Sequence, residues 1–131
     1  MAEIRKFYTV EEANRILPEL TAILQQMQGA KEQILAHRDE LEQLEQVAAS
    51  NGHAQHAEEL TAQLDALVRL LNNRLERLND ASIELRDLDD GLLDFPSLRG
   101  TRMIWLCWKL GELQVAFWHE LNTGFTSRQK L

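Results

Sequence analysis

The stretch TRMIWLCWKLGELQVAFWHEL, residues 101–121, decides how this chain is read. Two runs rich in Ile, Leu, Val, Phe and Trp flank Gly111–Glu112, and glycine at the first central position suits a two-residue type II′ hairpin turn. That turn sets a register. Leu110 then faces Leu113, Trp108 faces Val115, Leu106 faces Phe117 and Ile104 faces His119. Because side chains alternate along a strand, one face carries Ile104, Leu106, Trp108, Val115, Phe117 and His119. It is apolar apart from the histidine and should pack on helices. The other carries Met103, Trp105, Cys107, Trp118 and Glu120. Two tryptophans there would be costly in water, so neighbouring strands or a second subunit should cover them. On this register Cys107 and His119 lie on opposite faces, which argues against a catalytic Cys–His pair. The default for Cys107 is a small buried thiol.

Working upstream, SIELRDL (82–88) and GLLDF (91–95) are short strand candidates joined through Asp89–Asp90–Gly91. A turn at Asp90–Gly91 sets Asp87 opposite Asp94, a like-charge pair that calls for a cation between them. A loop of Asp89–Asp90–Gly91 sets Arg86 opposite Asp94 instead, an ion pair. The sequence leaves both open.

Before Asn79 the apolar period is helical. TVEE (9–12) offers Thr9 as a cap and Glu12 to complete a capping box. Leu20, Met27, Ile34, Leu41 and Ala48 fall at one heptad position, and Ile23, Ala30, His37 and Leu44 at the other, a single stripe for a partner helix. His37 reads as a seam histidine. Pro18 either kinks this helix or begins a new one. Asn51–Gly52 is a turn signal, and a second stripe follows through Ala57, Leu60, Leu64, Leu67, Leu71 and Leu78. The expectation is an antiparallel helical hairpin over 10–80, turning near 50–53, with arms of ~45 Å. A β module and C-terminal tail follow over 81–131, the whole forming one domain.

Composition narrows the classes. Apolar residues make up 44% of 131, enough for a core. Residues 1–91 hold 18 acids against 9 Lys and Arg, and residues 92–131 hold 3 against 5. An acidic helical region argues against nucleic acid as a partner. One cysteine, no apolar leader and no membrane-length apolar run point to a cytoplasmic protein that does not bind membranes. Two helices with wide stripes and one neighbour each suggest a homo-oligomer, dimer or higher, and the arm offers a surface for a protein partner.

FYTVEEANRILPEL at the start, with GLLDFPSLRG, LCWKLGE and WHELNTGFTSRQ later, resembles the bacterial family catalogued as domain of unknown function 2203. The likeness covers nearly the whole chain. The matching positions include Glu12, Asn14, Pro18, Asp94, Cys107, Trp108, Gly111, Glu112, Trp118, His119, Glu120, Gly124 and Arg128. That family usually carries glycine before the strand resembling IELRD, where this chain has Ala81–Ser82. The resemblance brings no activity with it.

The chemical candidates follow from residue type. His119, Asp94, Glu120, Asp87 and Glu84 offer imidazole and carboxylate ligands suited to zinc, iron or manganese. Adjacent strand residues point to opposite faces, so His119 and Glu120 can share an ion only if the strand ends or bulges there. Arg128 reads as a docking residue for an acid on another subunit, or as an anion contact, and Trp105 and Trp118 as interface aromatics. The sequence therefore predicts an α+β chain, a long antiparallel helical hairpin followed by a small antiparallel sheet of three or four strands. Its leading function is metal binding near His119. The alternatives are an assembly or interaction module without chemistry and a metal-dependent hydrolase. The sequence leans away from an enzyme.

Overall fold

The computed structural model describes residues 3–46 and 53–131. The expected Asn51–Gly52 turn and Ala48 lie outside them. Helix α1 spans Val10–Arg15, α2 Leu17–Gln46 and α3 His53–Asp80, and the strands are β1 (Glu84–Asp87), β2 (Leu92–Arg99), β3 (Arg102–Lys109), β4 (Phe117–His119) and β5 (Gln129–Lys130). The fold is α+β. Two long helices pack together, and an antiparallel sheet in the order β1-β2-β3-β4-β5 follows. The fifth strand, which sequence reading missed, is two residues of the tail paired to β4. Among the described residues no helix is long and apolar enough to cross a membrane.

The expected N-terminal signals operate. Thr9 Oγ1 accepts from the Glu12 N–H at 3.1 Å, and Glu12 Oε1 accepts from the Thr9 N–H at 3.0 Å. α1 ends at Ile16 and α2 begins at Leu17, with Pro18 in its first turn, where a missing N–H costs nothing. Pro18 starts a helix and kinks none. The chain divides into two compact units, one holding the chain up to Gln25 with Leu75–Leu131, the other Gln26–Arg74. In the second, Met27, Ala30 and Leu60 are buried, while Ile34, His37, Leu41, Leu44, Leu64 and Leu67 are half-buried along the seam. In the first, Leu20, Leu24, Leu78, Ile83, Leu93, Phe95, Leu106 and Trp108 form the core. Tyr8 joins it, with its N–H on the Pro96 carbonyl and its ring edge-on to Phe95.

The Ala81–Ser82 junction is a helix stop built without glycine. The Ile83 N–H bonds the Leu78 carbonyl at 2.9 Å and the Ser82 N–H bonds Asn79 at 3.0 Å, the two bonds of a Schellman motif. The residue between them must be left-handed, and Ser82 has φ +62°. Its Oγ accepts from the Arg5 N–H at 2.7 Å and donates to the Glu3 carbonyl at 3.3 Å. A serine here gives up roughly 1 kcal/mol of backbone preference, which these bonds offset. Ser82→Ala keeps the strain and loses the bonds, so it should cost about 1–2 kcal/mol. Ser82→Gly loses the bonds and the strain together and should stay near wild type. Equal urea midpoints for the two variants would remove strain from the account.

Candidate metal centre

The geometry of the site depends on one strand register. β2 pairs with β3 so that Asp94 stands opposite Cys107, and β3 pairs with β4 so that Trp105 faces His119, Leu106 faces Trp118 and Cys107 faces Phe117. This is one residue away from the register expected from a Gly111–Glu112 turn. A one-residue slip exchanges the faces of a strand. His119 and Phe117 therefore leave the face of Leu106 and join Trp105, Cys107 and Asp94. Trp118 moves the other way.

The cause is local. The turn closes one residue earlier, with the Glu112 N–H on the Lys109 carbonyl at 3.0 Å and Gly111 at φ +103°. The Glu112 carboxylate accepts from the Lys109 N–H at 2.8 Å, and its carbonyl accepts from the Trp108 indole N–H at 2.9 Å. The Val115 N–H goes to the Asn14 side chain at 2.6 Å. Val115 thus spends its donor outside the ladder, and pairing resumes only at Phe117.

Around this register three side chains converge. The ligating atoms of Asp94, Cys107 and His119 lie within 4.8 Å of one another, and all three residues are buried. His119 Nε2 is 2.9 Å from Asp94 Oδ2. Its Nδ1 is 2.8 Å from the Glu120 carbonyl, which can only accept, so Nδ1 carries a proton. Arg86 Nε donates to the same Asp94 oxygen at 2.8 Å, and its guanidinium lies over the Trp105 ring. Neither turn register expected for the first hairpin occurs. A bulge between Leu85 and Asp87 sets Glu84 opposite Asp94, yet the Arg86 side chain still reaches it.

The other sequence candidates lie elsewhere. Asp87 caps its own turn, accepting from the Asp90 N–H at 3.1 Å. The Glu120 side chain pairs with Arg102 at 3.1 Å, so Glu120 contributes its carbonyl to His119 and its carboxylate to the surface. Trp105 and Trp118 are 3% and 5% exposed, covered by this chain alone, and Arg99 stacks on Trp118. The acid expected for Arg128 on another subunit is Glu112 of the same chain, held by two bonds of 3.1 and 2.8 Å. Its guanidinium is layered between the Phe117 and Phe125 rings. The sequence marks Cys107 as a rare residue, and the expected hairpin register turns it away from His119. The signal that would have recovered it is Asn14, whose side chain removes Val115 from the sheet.

The setting keeps the thiol protonated at neutral pH. Burial, reinforced by the Asp94 carboxylate and only partly opposed by Arg128, pushes the Cys107 thiol from 9.0 up to about 12. Both His119 nitrogens have partners other than the thiol, Nδ1 at the Glu120 carbonyl and Nε2 at the Asp94 carboxylate. The raised value sets a pH dependence. The folded thiol keeps its proton to about 12 while the unfolded thiol releases it near 9.0, so this contribution to stability is complete below pH 9 and is lost as pH rises toward 12. Urea midpoints should fall more steeply over that window in wild type than in Cys107→Ala. Parallel slopes would count against a buried thiol facing a carboxylate.

Asp94 and Cys107 also line a cavity of about 530 Å³, with Trp105, Met103, Leu121 and Phe125 among its walls. A protein-family model described as an uncharacterized conserved protein (DUF2203) matches residues 6–131 of the chain. No curated protein and no solved structure matches it.

Proposed function

The chain belongs to the DUF2203 family of uncharacterized conserved proteins, and from that premise we propose that it binds a divalent transition metal, zinc foremost, through His119, Cys107 and Asp94. One observation carries the reading. With Nδ1 donating to the Glu120 carbonyl, His119 turns Nε2 to a carboxylate oxygen 2.9 Å away. Two acceptors that close call for a shared cation, either a proton or a metal. An imidazole whose far N–H is fixed by a backbone carbonyl is also how metal-ligating histidines are oriented.

The donor set supports zinc over the harder ions. One thiolate, one imidazole and one carboxylate suit zinc, with iron next, whereas manganese favours an all-oxygen or oxygen–nitrogen site. Tetrahedral zinc keeps its ligands roughly 3.5 Å apart, so atoms already within 4.8 Å of one another need only small adjustments. Asp94 and Cys107 line the cavity, so a fourth position would open there. Such an ion would supply Lewis acidity at the cavity floor.

The test is a zinc titration of the full chain, purified without a histidine tag, stripped by a chelator and competed against a chromophoric chelator. The expected result is one ion per chain. Binding displaces the Cys107 proton, held up to about 12, and any proton between His119 and Asp94, so apparent affinity should rise at least tenfold per pH unit between neutrality and pH 9. A titration without a saturable site would sink the proposal.

A further inference from the structure

The cavity that Asp94 and Cys107 border has walls that the fold holds apart. Ile4, Leu92, Met103, Trp105, Leu121 and Phe125 make it mainly apolar, around a volume of about 530 Å³. Small-molecule sites have this size and this character. Apolar walls facing water tend to close on one another, because that removes their surface from water. Two of these walls are movable pieces of chain, the segment before α1 and the tail after β4. Polar clasps fix both.

The first clasp holds Ile4 from either side. The Arg5 N–H donates to Ser82 Oγ at 2.7 Å, and that hydroxyl donates to the Glu3 carbonyl at 3.3 Å. The second clasp holds Phe125. Its ring lies 4.2 Å from the Arg128 guanidinium, which two bonds fasten to Glu112. Between Leu121 and Phe125, the Thr123 N–H and hydroxyl both donate to the Glu120 carbonyl at 3.3 Å. Walls fixed in this way make a site that is formed before its ligand arrives, which lowers the ordering cost of binding.

The charged lining is one joined pair. Arg86 Nε donates to Asp94 Oδ2 at 2.8 Å, and the guanidinium lies over the Trp105 ring. An entering carboxylate would meet Asp94 at that guanidinium, and an entering ammonium would meet Arg86.

We infer that the cavity binds a small uncharged organic molecule whose aryl or alkyl body lies against Met103, Trp105, Leu121 and Phe125. Ring and thioether walls suit such a body. The inference goes beyond the metal reading and does not rest on it, because neither the clasps nor the apolar walls use a ligating atom.

The test is calorimetric titration of the full chain in excess chelator with 4-phenylbutan-1-ol, butan-1-ol and 4-phenylbutyrate. The chelator separates its outcome from that of the zinc titration. The phenyl alcohol should bind once per chain, at least about tenfold more tightly than butan-1-ol, since the ring adds several buried carbons. The acid should bind no more tightly than the phenyl alcohol. Leu121→Asp and Ile4→Asp, at positions 51% and 36% exposed and so tolerant of substitution, should each weaken the phenyl alcohol severalfold at an unchanged urea midpoint. The absence of saturable binding overturns the inference, as does binding that neither variant alters. Tighter binding of the acid overturns it as well. So does a dimer in sedimentation that Leu121→Asp dissociates, since a second copy would then cover these walls.

Discussion

Cys107→Ala should lower zinc affinity by roughly 10²–10³-fold. Structural zinc sites with four ligands are worth about 10–16 kcal/mol near neutral pH, or ~3–4 kcal/mol for each ligand. Cys107 is the ligand whose removal disturbs the fold least. It is small, 2% exposed and at the centre of β3, and alanine keeps the backbone pairing with Asp94 and Phe117. His119→Ala should lose a similar factor but also strips Asp94 of one neighbour, leaving Arg86 as its partner. A second signature separates ligation from general damage. Loss of the thiol removes a displaced proton, so the pH slope of zinc binding in Cys107→Ala should flatten by about one proton per ion. An affinity within threefold of wild type, with the slope intact, would exclude the thiol as a ligand and leave the binding to other groups.

What could be read from the residues divides by the range of the interaction. The capping box at Thr9–Glu12 and the change from period 3.6 to period 2 after Asn79 are local, and each stands in the structure as read, while Pro18 takes one of the two roles its sequence leaves open, a helix start. His119 and Asp94 were legible as candidates because of residue type alone. Their company was not. The face of His119 depends on where the Val115 N–H finds its acceptor, and that acceptor is Asn14, 101 residues away in sequence. Likewise, the bulge at Arg86 sets Glu84 rather than Asp87 against Asp94. The Arg86 side chain is long enough to make the ion pair from a backbone position that pairwise register would rule out. The expected conclusion about Cys107 and His119 shows the same limit. They share a face after all, and the imidazole is turned to Glu120 and Asp94, which no sequence pattern reports.

Gly91→Ala should be the most damaging single-methyl change among the turn glycines, costing about 2–5 kcal/mol. Two penalties act together. Gly91 has φ +70°, where a Cβ costs ~1–2 kcal/mol. A Cβ added there would also lie 2.5 Å from the Leu110 Cβ. Rotating the leucine does not relieve that overlap, because a Cβ is fixed to its own backbone. The Leu110 backbone is in turn tied to Gly91, its N–H bonding the Gly91 carbonyl at 2.9 Å. Relief requires the β1–β2 turn to lift from the end of β3, and overpacking of this kind costs about 1–3 kcal/mol. Gly100 provides the control. It has φ +66° and open space around its would-be Cβ, so Gly100→Ala carries the backbone penalty alone, near 1 kcal/mol. The displaced segment runs straight into Leu92, Leu93 and Asp94, so Gly91→Ala should also weaken zinc binding without touching a ligand, while Gly100→Ala should not. Matching denaturation midpoints for the two alanine variants would show that the β1–β2 turn yields freely. The position of Asp94 would then depend on its pairing with β3 and on Arg86, not on the turn.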